Sequence, residues 1–167
     1  MNADKLLLSI TLSLRCLALR VVKGTPVQTD LGLRPIETIK VGDLVACQDI
    51  PSGQLRFNAV LRATKRPESD VREIVLSNGE SIQSTLGHRW WVIAQGWVKT
   101  RDLTQGTYLR TATGFASIQK IKDGLSEVTY NLVVDYDHTY FAGQSRLLSF
   151  DASEAIPAFQ KVPGFQE

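Results

Sequence analysis

The sequence predicts an all-β domain, and three observations carry that expectation. After residue 20 no window of twelve or more residues repeats its apolar positions at helical spacing. Short runs rich in Val, Ile, Thr and aromatic residues are instead separated by Gly, Pro, Asn and Asp, the residues of turns. One of those breaks is Asn78-Gly79, the strongest short hairpin signal, set in "VREIVLSNGESIQST".

Taken in order, "GTPVQTDLGLRPIETIKVGDLVACQD" gives short strands split at Gly, Pro and Asp, and "PSGQ" at 51–54 gives a turn between two more. "HRWWVIAQGWVKTRDL" continues the pattern with a turn at Gly96, and one helical turn is expected around Thr100 to Leu103. "TATGFASIQKIKDG" and "EVTYNLVVDYDHTYFAG" supply the last strands. Leu132, Val133, Val134 and Phe141 read as core. The tail "ASEAIPAFQKVPGFQE" is interrupted by Pro157 and Pro163 and reads as loose. There is no internal repeat and no low-complexity tract.

With 167 residues, 43% of them hydrophobic and 22% charged, the chain suits one globular domain with a sizeable core. A net charge of +2 without a basic run gives no support for nucleic acid as a partner. Trp90, Trp91 and Trp97 lack the basic groove that a base-stacking platform needs, so they read as packing residues. Cys16 and Cys47 form neither a metal spacing nor a disulfide framework, so no metal is expected. Cys47 lies mid-strand in "DLVACQD", where a core role is the simpler account; a cysteine hydrolase built on Cys47 and His88 is the weaker alternative. The opening "MNADKLLLSITLSLRCLALR" has an apolar run too short to span a bilayer and no small-residue cleavage site. It reads as the end of an upstream region in preference to an export signal, which leaves cytoplasmic and exported locations both open.

The chain has two histidines. His88 stands in "TLGHRWWV" and His138 in "DYDHTYFAG". Read alone, Thr85 bonding to nearby backbone and His88 packing beside Trp90 or Trp91 explains the first stretch. Asn131 and His138 read alone as a strand edge and a turn.

Together, "GTPVQTDLGLRPIETIKVGDLV", "TLGHRWWV", "GWVKTRDLTQGTYL", "YNLVVDYDHTYFAG" and "SRLLSFD" occur in the order and spacing of the Hint family. The sequence resembles the self-processing domains of inteins, bacterial intein-like proteins, toxin-associated proteins and hedgehog proteins over about residues 20–151. Thr-x-x-His is common by chance; four motifs in order are specific. The resemblance implies an all-β horseshoe of short, twisted antiparallel strands with the chain ends brought together at its centre. It implies autoproteolysis of the domain's own polypeptide, by a monomer, without metal or organic cofactor and without a membrane span. In that family a first-position Cys or Ser attacks the preceding carbonyl, assisted by the Thr and His of Thr-x-x-His, here Thr85 and His88. Asn131 and His138, seven residues apart, match the supporting pair of the penultimate block. Asp151 matches the cyclising residue at the far end.

These residue types suit the chemistry. A peptide nitrogen leaves poorly unless protonated, which a histidine can do. Hydroxyls and amides can hold the developing oxyanion, and intramolecular attack gains from proximity.

The chain also departs from the pattern. The nucleophile position, four residues before Gly24, holds Arg20, which stays protonated and cannot attack. Cys16, four residues further upstream, could replace it only if "LALR" loops out. At the far end Phe150 stands where the family has a helper His, Asp151 where it has Asn, and Ala152 where splicing needs a Cys, Ser or Thr acceptor. The roughly forty residues between His88 and Tyr130 leave no room for a homing endonuclease, and the sixteen after Asp151 none for a sterol-recognition extension. The expectation is an N-terminal segment 1–19, a Hint domain 20–151 and a tail 152–167. Splicing is lost, and residual C-terminal cleavage is more probable than splicing. The other class of function is an inactive Hint fold serving as a structural or binding spacer in a larger protein.

Overall fold

The computed structural model describes residues 19–151. Cys16, the upstream alternative nucleophile, lies outside the described residues, as do the tail and all but the last residue of the N-terminal segment.

Among the described residues, fourteen strands follow one another with two single-turn 3-10 helices between them. The first five are β1 (Val21–Val22), β2 (Pro26–Thr29), β3 (Gly32–Pro35), β4 (Leu44–Gln48) and β5 (Leu55–Ser69). Then come β6 (Val71–Leu76), β7 (Ser81–Thr85), β8 (Arg89–Val92), β9 (Gly96–Lys99) and β10 (Tyr108–Arg110). The last are β11 (Phe115–Asp123), β12 (Glu127–Val134), β13 (Thr139–Ala142) and β14 (Leu147–Phe150). Every pairing is antiparallel. The expected punctuation holds. Gly79 closes the β6–β7 hairpin with φ 87°, Gly53 sits between β4 and β5 with φ 71°, and Gly96 opens β9 with φ 84°. Glycine suits all three because it alone enters this region without a Cβ penalty. The helical turn forms at Thr100–Asp102, as the sequence suggests.

The strands run in one path, β10-β11-β6-β7-β1-β12-β5-β4-β2-β13-β14-β8-β9, with β3 hanging on β2. β10 also pairs with β8, Leu109 opposite Val92, so the path curls back on itself. This is the expected all-β horseshoe. β5 is longer than its neighbours, 15 residues, and follows β12 through two register shifts. Such bulges bend a strand, which lets a long ribbon follow a curved sheet.

The core collects Val21, Val27, Val45, Ile74, Trp90, Leu109, Leu132, Val134 and Leu147, all at or near zero exposure. Each such aliphatic side chain contributes about 1.5–3 kcal/mol by leaving water. Val133 and Phe141 are buried as expected. Because β1 lies between β7 and β12, and β14 lies between β13 and β8, the strands at both ends of the described stretch enter the middle of the sheet. Strand pairing therefore positions the site.

Candidate functional site

The backbone at Arg20 is held by Thr85. The Arg20 backbone N–H donates to Thr85 Oγ1 at 3.1 Å, and the Thr85 N–H donates to the Arg20 carbonyl at 2.9 Å. β7 ends at Thr85, and the chain reverses through a turn closed by the His88 N–H on the Thr85 carbonyl at 3.0 Å. A second turn clamps it. The Thr100 N–H donates to the His88 carbonyl at 2.7 Å and the Arg101 N–H to the Leu86 carbonyl at 3.1 Å. The Thr100 hydroxyl also contacts Ser84 Oγ at 2.8 Å and accepts from the Trp90 indole N–H at 3.2 Å. The helical turn read at 100–103 thus serves the Thr85–His88 turn, a link that sequence spacing does not reveal.

His88 is fully buried. Its ring meets Trp90 edge-on with centroids 4.6 Å apart, so the packing reading is also satisfied. Its Nε2 lies 2.8 Å from Ser149 Oγ, while its Nδ1 has no hydrogen-bond partner. Burial in this apolar surround pushes its pKa down to about 3, so the imidazole is neutral at physiological pH. Ser149 was not singled out in the sequence. Its signal was a polar residue in an otherwise apolar strand, directly across from Trp90 in the β8–β14 ladder.

Asp151 is buried at the end of β14. Its Oδ2 accepts the Val134 N–H at 2.7 Å and lies 3.1 Å from His138 Nδ1, and its own N–H donates to the His138 carbonyl at 2.9 Å. His138 adopts φ 54° and Tyr136 φ 58°, left-handed values that such residues seldom take. The bend is held by Asn58, whose amide donates to the Asp137 carboxylate at 2.7 Å and the Asp135 carbonyl at 3.0 Å. Arg56 adds an ion pair to Asp137 at 3.0 Å. These three residues, too, were invisible as a unit in the sequence.

The surroundings of Arg20 and Asp151 are connected. Thr85 and His88 belong to one turn, His88 touches Ser149, and Ser149 lies two residues before Asp151. Tyr140 pairs with Ser149 across β13 and β14, is fully buried, and feels the charges of both Arg20 and Asp151. Burial, first among these influences, pushes its phenol pKa up, so it remains protonated.

Other positions fare differently. Arg20 carries two guanidinium nitrogens, Nε and Nη1, that are buried without a partner, and desolvation followed by repulsion from Arg66 lowers its pKa to about 10. It remains a cation. Asn131 lies one step beyond the Val21–Tyr130 pair, beside Arg20, but its buried side-chain oxygen has no partner, so it is not bonded to His88 or His138. Phe150 points away from the His88 face, edge-on to Trp97 at 5.1 Å and beneath the Arg89 guanidinium. Cys47 is fully buried in β4, its Sγ 3.2 Å from the Val45 carbonyl, and burial pushes its pKa up to about 12. That thiol cannot act as a nucleophile at neutral pH. Among the described residues no cluster of His, Cys, Asp and Glu suits a metal ion, and no helix is long and apolar enough to cross a membrane.

Residues 26–149 match the family model described as the pretoxin HINT domain. The chain belongs to the pretoxin Hint family. Thr85, His88, Asn131 and His138 lie within the matched stretch, whereas Arg20 and Asp151 fall just outside it. Among solved structures, this Hint chain is similar to the bacterial intein-like domain from Clostridium thermocellum, 28% identical with a TM-score of 0.75, covering 80% of this chain and 99% of that one. The gp41-1 intein is 24% identical with a TM-score of 0.68, covering 79% and 98%. The DnaB intein from Synechocystis sp. PCC 6803 is 17% identical with a TM-score of 0.69, covering 80% and 99%. The last two speak to the fold alone. No curated protein matches. The fold and family are those of self-processing domains in general.

Proposed function

We propose that this chain is a degenerate, splicing-deficient Hint domain that acts on its own polypeptide, spans residues 20–151, and retains at most slow cleavage after Asp151. The observation that carries this reading is the joining of both junctions through the His88–Ser149 contact, with Thr85 on the Arg20 amide and His138 on Asp151. Thr85, His88, His138 and Asp151 are the residues assigned to the chemistry. Asn131 is assigned a supporting place beside Arg20.

In C-terminal cleavage a side-chain oxygen of Asp151 attacks its own backbone carbonyl carbon. A five-membered cyclic anhydride forms, the bond to the nitrogen of Ala152 breaks, and that nitrogen leaves with a proton as an amine. Water then opens the anhydride. Intramolecular attack gains from proximity, and the contact with His138 holds the carboxyl group in place. N-terminal acyl transfer stops at Arg20, and no acceptor stands at Ala152 to complete splicing.

The test is a chain with a tag fused after the full sequence, followed for days at pH 5 to 8 by gel and mass spectrometry. The parent is expected to cleave slowly after Asp151. The double change Phe150→His with Asp151→Asn is expected to accelerate cleavage by about 10²-fold or more, chiefly through the amide restored at residue 151 beside His138, the low end for a positioned proton-transfer group. A double variant no faster than the parent would replace this reading with that of a structural spacer, which the substitutions at Arg20, Phe150 and Asp151 favour.

A further inference from the structure

We propose that Ser149 is a positioning residue for His88: its hydroxyl donates to Nε2 and holds the buried ring as the Nδ1–H tautomer, making His88 a neutral N–H donor at the N-terminal junction. The inference rests on the self-processing reading for its purpose, though not for its geometry.

The argument begins with where one proton can go. Ser149 Oγ has two acceptors in hydrogen-bond geometry, His88 Nε2 at 2.8 Å and the Phe150 carbonyl at 3.4 Å; the Tyr140 hydroxyl across the β13–β14 ladder feels Ser149 but is bonded to no partner. The first is a normal hydrogen-bond length and the second lies beyond the range for a hydroxyl donor. The hydroxyl proton therefore belongs on the Nε2 side, which requires Nε2 to carry a lone pair. A neutral imidazole has one N–H, so Nδ1 must hold it. The opposite tautomer would leave the hydroxyl proton with only the long contact.

Burial supports the same picture from a second side. Nothing near His88 offsets the cost of charging it, and the first cause of its lowered pKa is desolvation. An imidazolium donor is thus scarce at neutral pH. A neutral ring can still deliver Nδ1–H if Nε2 receives a proton as Nδ1 loses one. Ser149 supplies the bond along which Nε2 is recharged. In that exchange, in an Arg20→Cys chain, the Nδ1 proton passes to the departing nitrogen of residue 20, the Ser149 proton passes to Nε2, and the proton lost by the attacking thiol restores the Ser149 hydroxyl.

The placement is built in by the sheet. Ser149 pairs with Trp90, two residues beyond His88, so the ladder sets its height. The alternation of β14 then sends Ser149 toward His88 and Phe150 toward Trp97. The other ring nitrogen, Nδ1, is buried without a partner, as are two nitrogens of Arg20. A partnerless buried N–H is costly, a penalty that a fold retains where a substrate group is to meet it.

The experiment uses the full chain, labelled with nitrogen-15, and reads the His88 ring nitrogens in long-range proton–nitrogen correlation spectra at pH 7. The expected result is a protonated Nδ1 and an unprotonated, hydrogen-bonded Nε2. Ser149→Ala should shift the ring toward a tautomer mixture, and Ser149→Thr should restore the parent pattern. In an Arg20→Cys background, Ser149→Ala should slow thiol-induced N-terminal cleavage by at least about tenfold, well short of the roughly 10⁴-fold seen when a charged orienting group is lost. Ser149→Thr should recover it. An Nε2–H tautomer in the parent overturns the proposal, as does a Ser149→Ala spectrum identical to the parent's. The parent spectrum decides even if Ser149→Ala fails to fold. Should the tautomer respond as expected while Arg20→Cys never cleaves, the positioning role stands and the self-processing reading fails.

Discussion

His138 and Asp151 hold one another twice: Nδ1 of the ring lies 3.1 Å from the buried carboxylate, and the Asp151 amide donates to the His138 carbonyl at 2.9 Å. The second bond fixes the backbone of Asp151, the residue proposed to cyclise, and the first fixes its side chain. Both depend on the left-handed bend at Tyr136 and His138, which Asn58 and Asp137 brace. In the Asp151→Asn chain, His138→Ala should therefore cut C-terminal cleavage by about 10²-fold, as expected for loss of a positioned proton-transfer group. Asn58→Ala should slow it as well, although Asn58 touches neither reacting atom. Gel densitometry of the tagged chain checks both, and an Asn58→Ala rate equal to its parent's would remove the bend from the mechanism.

The buried neutral state of His88 predicts how folding depends on pH. Its folded pKa is depressed to about 3, below the ordinary value of 6.5. Between those values the unfolded chain binds a proton that the folded chain refuses. Stability from this site is thus complete above pH 6.5 and is lost as pH falls toward 3. At pH 5 the loss is about 2 kcal/mol, 1.5 pH units at 1.36 kcal/mol each, provided the folded pKa stays well below 5. Urea midpoints at pH 7.5 and pH 5 measure it. His88→Gln should be less stable at neutral pH but should lose about 2 kcal/mol of this pH dependence.

The fold was legible because its strands are local. Period-two runs and glycine turns such as Asn78-Gly79 and Gly96 are written in neighbouring residues. Thr85, His88 and Asp151 were singled out because ordered motifs mark their positions, and the proposed reading assigns them their roles. Ser149, Tyr140, Asn58 and Thr100 were not. Each acts through a contact across the sheet, such as Ser149 to His88 at a separation of 61 residues or Asn58 to Asp137 at 79, and strand order determines those meetings. The same limit applies to Phe150. The family resemblance implies the helper position for it, but its packing between Trp97 and Arg89 follows from which face of β14 it occupies.

Phe150 therefore predicts an order among restorations. Phe150→His without a change at Asp151 should leave C-terminal cleavage near the parent rate, because the new ring begins on the Trp97 face and the cyclising group is unchanged. Asp151→Asn alone should give the larger single gain. Rates of the two single variants and the double variant, taken side by side, test this; a Phe150→His rate above that of Asp151→Asn would contradict it.

Cys47 should be chemically silent in the folded chain. Its thiol is fully buried and its pKa is pushed up to about 12, so thiolate is scarce at neutral pH. Alkylation followed by peptide mapping should label Cys47 only after unfolding. Cys47→Ser should leave any self-cleavage in place while lowering stability by about 1–3 kcal/mol, the cost of a hydroxyl in an apolar site without a good partner. Native labelling at Cys47, or loss of cleavage in a folded Cys47→Ser chain, would revive the cysteine hydrolase alternative.

Arg20 supplies the most direct test of what the N-terminal junction retains. Its backbone already sits against Thr85, with the amide nitrogen that would leave 3.1 Å from the hydroxyl. On the proposed reading a nucleophile is missing here, and the guanidinium in its place buries two nitrogens without partners. Arg20→Cys removes those unsatisfied groups and installs a thiol next to the preceding carbonyl, so the fold should tolerate it. In the parent, added thiol should release nothing at the Leu19–Arg20 bond. In Arg20→Cys, the thiol of residue 20 attacks the Leu19 carbonyl, the amide becomes a thioester, and an added thiol exchanges with it to free the upstream segment. Adding His88→Ala should reduce that release by about 10²-fold or more, since the leaving amine then lacks its proton donor. Mass spectrometry of the released segment identifies the bond. Release from the parent that Cys16→Ala abolishes would place the nucleophile at Cys16 and shift the junction upstream of Arg20.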